Sequence, residues 1–93
     1  MRILWTDEAQ SNLDKISEFI AADSPQRALS YLRKIKSKTR RLSRFPLSGR
    51  AVPEATDLPG KLREIIVDNY RVIYTVKKDC VHVISVIHGM RLL

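Results

Sequence analysis

The chain contains a single cysteine, Cys80, which excludes an internal disulfide framework and a multi-cysteine zinc site. The other potential metal ligands are two histidines and scattered carboxylates, none of them at metal-ligand spacing. Neither a metal nor a cofactor is therefore expected. No apolar run approaches the roughly 18 residues of a membrane-spanning helix. The N-terminus turns acidic at Asp7 and Glu8, too early for a secretory signal peptide, so the expected compartment is a reducing cytoplasm. Internal repeats and low-complexity tracts are also absent. Ninety-three residues accommodate one domain, residues 1–93, with one modest core, and not a cofactor fold beside a substrate domain. A hydrophobic content of 44% with 29% charged residues is ordinary globular composition and excludes wholesale disorder.

One further absence is local. Residues 25–53 hold nine Lys and Arg and no acid, a balance of +9, whereas residues 1–24 carry −3 and residues 54–93 carry +1. A field of this kind favours an acidic partner, such as nucleic acid, the ribosome or an acidic protein surface. The plainer reading, a solvated helix face that keeps a small protein soluble, stays open beside it.

Residues 2–5 read as a short strand of apolar and aromatic residues. Thr6 offers an N-cap oxygen, and Asp7 and Glu8 sit on the positive end of the helix that follows. Ala9, Leu13, Ile16 and Ile20 form one apolar stripe on a helix over 7–22. Ser24-Pro25 restarts the pattern, and Ala28, Leu32, Ile35, Thr39 and Leu42 form a second stripe that Pro46 ends. The short linker around Asp23 and Ser24 predicts an antiparallel helix hairpin. Residues 46–60 form the one long irregular segment, where a glycine such as Gly49 would serve a positive-φ turn. Strand-like runs follow over 62–68, 70–76 and 81–87, joined by short turns as in an antiparallel meander. The last run is apolar at both parities, as a central strand buried on both faces would be. The expected fold is α+β: an N-terminal strand, a helix hairpin, then three antiparallel strands (β-α-α-β-β-β). The helices cover one face of the sheet and leave the other for a partner or substrate. Leu13, Ile16, Leu32, Ile35, Val72, Tyr74, Val83 and Val86 are the expected core.

An ordered set of short motifs then points to a family. Trp5-x-x-x-Ala9 and Ser24-Pro25-x-x-Ala28 open the two helices, and Phe45-Pro46-Leu47-Ser48-Gly49-Arg50 follows the second. Leu62-Arg63-Glu64, Tyr70-Arg71-Val72-Ile73-Tyr74 and Ile87-His88-Gly89-x-Arg91 complete the set. Together they resemble the ParE/RelE superfamily of bacterial type II toxins, often labelled plasmid stabilisation proteins, over nearly the whole chain. The resemblance implies a small basic toxin held in a hetero-oligomer by a cognate antitoxin, whose flexible, often acidic segment wraps it. It also implies one of two activities. RelE-like members cut mRNA on the ribosome, whereas ParE-like members poison DNA gyrase without known catalysis.

For the nuclease alternative, the resemblance places Arg71 on the phosphate and His88 near the position of a proton donor. Arg63 and Glu64 stand where several such nucleases carry a lysine or a carboxylate. An arginine cannot serve as a base, and Glu64 could equally pair with Arg71. His82 is assigned no role. Two departures favour the ParE-like branch. No lysine lies within 62–67, and no aromatic follows Tyr74. No catalytic residue is then expected. Contact with target or antitoxin falls instead to Arg33, Lys36, Arg40 and Arg44, spaced by three and four residues on the second helix, with Arg50 and Arg91 beside them.

Overall fold

The computed structural model describes residues 1–55 and 61–91. Its elements are β1 (Arg2–Trp5), α1 (Asp7–Asp23), α2 (Pro25–Arg40), a 3₁₀ turn (Arg41–Ser43), β2 (Arg50–Ala51), β3 (Arg63–Val67), β4 (Tyr70–Val76) and β5 (Cys80–His88).

Both helix starts follow from local chemistry. Thr6 Oγ1 accepts from the Ala9 N–H at 3.1 Å, so one orphan donor of α1 is satisfied and the acids of the first turn face its positive end. Ser24 is the one residue between the helices and serves both. Its N–H donates to the Ile20 carbonyl at 2.8 Å, closing α1, and its Oγ accepts from the Arg27 N–H at 3.2 Å, opening α2. At the other end of α2, Thr39 Oγ1 bonds back to the carbonyls of Ile35 and Lys36 at 2.9 and 3.0 Å. The helix gives way to the 3₁₀ turn before Pro46 is reached, earlier than the apolar stripe alone predicts.

The sheet runs β1-β5-β4-β3-β2. The predicted meander is present as β3-β4-β5, all antiparallel, but β1 lies parallel to β5, so the whole sheet is mixed. The expected irregular segment also contains β2, a two-residue strand paired with Arg63 and Glu64. Residues 56–60, the rest of that predicted loop, lie outside the described residues. β5 is an interior strand between β1 and β4, but the middle strand is β4, and β5 is fully buried on one face only, through Val81, Val83 and Val86, and not on both as its apolar pattern implied. Where β1 stops, α1 takes over its edge: Asn12 Oδ1 accepts the Val86 N–H at 3.0 Å.

The helices pack on one face of the sheet. Ala9, Leu13, Tyr31, Ile35 and Leu42 meet Val67, Val72, Tyr74, Val81, Val83 and Val86 in one cluster. Of the expected core, Ile16 and Leu32 are only partly buried; they flank the cluster instead of filling it. Tyr31, not named as core, is buried, and among the described residues no hydrogen-bond partner reaches its hydroxyl.

Two of the three tyrosines carry a consequence for pH. Burial raises the Tyr31 phenol, and the nearby Tyr70 and Asp68 raise it further. Burial also raises Tyr74, against the lowering effects of the Gly49 N–H and Arg63. Both folded-state values lie above the ordinary 10.0, so the fold holds these protons more tightly than the unfolded chain does. Their stabilising contribution is complete below that ordinary value and is lost as pH rises through and beyond it. The melting temperature should fall steeply above the ordinary phenol range, with the tyrosinate absorbance of Tyr31 and Tyr74 appearing only as the chain unfolds. Full tyrosinate absorbance in a still-folded chain would contradict this burial.

Candidate functional site

The face of the sheet turned away from the helices is not left vacant for a partner. It holds a buried ion-pair network built on alternate residues of β3 and β4. Glu64 is 1% exposed and Arg71 is 5% exposed. Glu64 Oε1 accepts from Arg71 Nε at 2.8 Å and Nη2 at 2.7 Å, while Glu64 Oε2 accepts from Arg50 Nε at 2.6 Å. Glu54, in the turn after β2, takes Arg71 Nη1 and Nη2 in a bidentate pair at 2.7 Å each. The remaining Nη1 hydrogen goes to the Arg91 carbonyl at 2.9 Å. All five N–H groups of Arg71 are thus engaged. Its hydrogen bond to Glu54 is the chief cause that pushes its already high pKa higher.

Of the nuclease candidates, only Arg71 and Glu64 are brought together, as a buried ion pair; His88 and Arg63 stand apart from them. Arg71 faces this network. His88 pairs in register with Tyr70, one residue before Arg71, and its ring lies edge-on to that of Tyr70 at 5.5 Å between centroids, on the opposite face. His88 Nδ1 accepts the Met90 N–H at 3.2 Å. Glu64, considered as a base or a surface pair, is a buried bridge between two arginines. Arg63 points to neither: its Nη1 donates to the carbonyls of Gly49 at 2.9 Å and Leu47 at 3.4 Å.

Arg63 and Tyr74 together fix the loop after α2. Tyr74 Oη donates to the Pro46 carbonyl at 2.8 Å and accepts the Gly49 N–H at 2.9 Å. This corrects the reason for glycine at position 49. Its backbone is not in the left-handed region; a Cβ there would instead meet Tyr74 Oη and lie 2.7 Å from the Glu64 carbonyl oxygen. Among the described residues, the one non-glycine residue at positive φ is Asp68 (54°), in the β3–β4 turn, where Lys34 Nζ reaches its carboxylate at 2.6 Å.

The expected contact residues divide into two groups. Arg33, Arg40 and Arg44 are exposed, and no ion pair engages them among the described residues. Lys36 lies over the Trp5 ring at 4.4 Å, Arg50 is tied to Glu64, and Arg91 is held through its carbonyl. The opposite flank of α2 shows what that set omitted. Lys38 and Arg41 border an open groove of about 600 Å³, floored by Leu42 and Ile65, with Phe45 and Ile66 at its margins. Phe45, Leu47 and Ile66 are more than half exposed. Glu54 carried no sequence signal for its role. Among the described residues no three His, Cys, Asp or Glu side chains converge as a metal site requires, and no helix is long and apolar enough to cross a membrane.

Comparison with known proteins agrees across sequence and fold. The profile of the family described as ParE toxin of type II toxin-antitoxin system, parDE, matches residues 3–93. A Sinorhizobium fredii protein named Putative toxin Y4kP is 30% identical over 93 residues, covering 95% of this chain and 88% of the relative. Among solved structures, a chain of the chromosomal ParDE TA system from P. aeruginosa superposes with a TM-score of 0.76 at 20% identity, covering 95% of both chains. The YoeB/ParE toxin from Agrobacterium tumefaciens gives 0.62 at 20% identity, covering 95% of this chain and 98% of its own. At such identities the two structures speak for the fold alone.

Proposed function

Because the chain belongs to the ParE toxin family of type II toxin–antitoxin systems, we propose that it is a cytoplasmic toxin acting on DNA gyrase through surface contact and neutralised by a cognate antitoxin. The whole chain acts as one domain in this reading. The observation that carries it is the state of Arg71. A phosphate-binding arginine must present free donors, and every donor of Arg71 is taken within the fold. A scissile phosphate would have to displace the bidentate Glu54 from an arginine that is 5% exposed. His88, the proton-donor candidate, belongs to the other face of the sheet. A general acid must come within hydrogen-bond reach of the atom it protonates, and these two residues share no such point.

A surface-acting protein needs accessible, unpaired groups instead. Arg33, Arg40 and Arg44 supply them on the exposed side of α2 and the turn that follows, and we assign target contact to this row. Its charge suits the acidic or nucleic-acid-bound surface that a DNA-processing enzyme offers.

Controlled induction in a bacterial host tests the reading, with chromosomal breaks and mRNA integrity followed in parallel. Breaks that depend on gyrase, with ribosome-bound mRNA intact, are expected. Codon-positioned cuts on purified ribosomes, without breaks, would replace the gyrase reading with the endoribonuclease.

A further inference from the structure

We propose that the groove between the end of α2 and the edge of β3 binds single-stranded nucleic acid, with a base stacked on Phe45 and phosphates on Lys38, Arg41 and Arg50; this goes beyond the gyrase reading and does not depend on it. The groove exists because β2 is short. β2 ends at Arg50, opposite Glu64, although β3 continues to Val67, so the flank of β3 beyond Glu64 is open among the described residues. The cleft beside it measures about 600 Å³ and is floored by Leu42 and Ile65. Two kinds of group converge on it. Lys38 and Arg41, three residues apart on one helical surface, stand on one rim, exposed and without an ion pair among the described residues. Arg50 stands on the other rim; it holds Glu64 through Nε and Nη2, yet 63% of its side chain is exposed. Phe45 and Ile66 lie at the margins, each more than half exposed.

Free cations alone are met on many solvated helices, and an exposed phenylalanine alone names no ligand. Together they match a polymer that carries both a charged backbone and unstacked π faces. A duplex hides its base faces and would leave Phe45 and Ile66 in water. An acidic peptide would meet the cations but brings no row of planar faces for Phe45. The surrounding charge has one sign, since residues 25–53 hold nine Lys and Arg and no acid. Among the described residues, the one carboxylate bordering the groove, Glu64, is already taken by Arg50 and Arg71. The loop after Phe45 is pinned by Tyr74 and Arg63, which lowers the ordering cost of binding. The lining residues include no histidine and no free carboxylate, so the groove holds a strand without cutting it.

The test uses the full chain with fluorescein-labelled oligothymidylate and oligouridylate of about ten nucleotides. Anisotropy should show saturable binding, with log K falling against log salt at a slope of about −2, from three phosphate contacts at about 0.7 each. Lys38→Ala with Arg41→Ala should reduce that slope to about −0.7. Lys77→Ala with Lys78→Ala removes the same charge from the turn between β4 and β5 and should leave the slope as it was. Phe45→Ala should weaken binding about tenfold without changing the slope. Phe45→Trp keeps the stacking platform, and bound oligonucleotide should quench its indole beyond any change at Trp5 in the parent chain. This measurement decides the matter if Phe45→Ala does not fold. Tighter binding of one arm identifies DNA or RNA as the source of the strand, and either supports the groove. Absence of binding, a slope indifferent to the loss of Lys38 and Arg41, an unquenched indole, or cutting of the oligonucleotide overturns the proposal. So does a duplex of equal length that binds more tightly than the single strand. Displacement of the oligonucleotide by an equimolar peptide of alternating leucine and glutamate also overturns it, since the groove would then be a protein-docking surface.

Discussion

Replacing Glu64 with alanine should destabilise the fold by about 3–5 kcal/mol, the range for removing one partner of a buried ion pair. Glu64 bridges Arg50 and Arg71 from a position with no access to solvent. Its loss leaves two guanidinium groups facing each other across the site. Arg50 is 63% exposed at its side chain and can turn to water. Arg71 cannot, and it keeps only Glu54 and the Arg91 carbonyl. Glu64→Gln preserves shape but removes the charge and aims an amide N–H₂ at a donor, so it should also cost stability. Glu54→Ala should cost less, because that side chain is already 25% exposed and water can replace it. Urea midpoints followed by circular dichroism would check the order. A Glu64→Ala midpoint no lower than that of Glu54→Ala would refute the bridging role. Small domains hold about 5–15 kcal/mol in total. Loss of toxicity in a Glu64 variant therefore reports on the fold before it reports on chemistry.

The same residue shows where sequence reasoning stops. Helix stripes, Thr6, Ser24-Pro25 and the strand runs all encode local geometry, and they placed every helix and the β3-β4-β5 meander to within a few residues. Short-range patterns do not encode which strand joins which edge. β1 carries no mark that it pairs parallel to β5, and the pairing of β2 depends on a loop whose path is set by Tyr74 and Arg63. Ile16 and Leu32 sit at the margin of the core, and a stripe on a helix does not tell which of its residues reach the middle.

The candidate site was legible in residue type more than in arrangement. Arg71 and Glu64 were visible as a pair across adjacent strands, but Glu54 lies 17 residues from Arg71 and outside any strand pattern, so the saturation of Arg71 was not. Lys38 and Arg41, at the end of α2 and the start of the 3₁₀ turn, belong to the acid-free stretch of residues 25–53 that the sequence displays. What gives them a neighbour is the open β3 edge, which exists because β2 is two residues long. The spacing of three and four residues marks a helix face; it does not tell which face overlooks an unpaired strand.

Toxicity should separate cleanly between two variants that leave the fold alone. His88→Gln removes acid–base capacity from an exposed side chain whose backbone stays in β5. A nuclease that relied on this proton donor would lose about 10²–10⁴-fold in rate. The surface-acting reading predicts growth arrest within about twofold of the parent chain, since no proton moves. Reversing Arg33, Arg40 and Arg44 to Glu has the opposite expectation. All three are exposed and without ion pairs among the described residues, so their replacement should leave the melting temperature nearly unchanged. It lowers the formal net charge from +7 to +1 and inverts the field along one side of α2. Lys36 is kept, because its ammonium lies over Trp5 and its loss would disturb β1. Target association by electrostatic steering should then fall by at least about tenfold, and growth arrest with it. Growth curves at matched expression, with melts of both purified variants, make the comparison. Arrest lost in His88→Gln and kept in the triple reversal would move the activity from the α2 surface to the β5 end of the sheet.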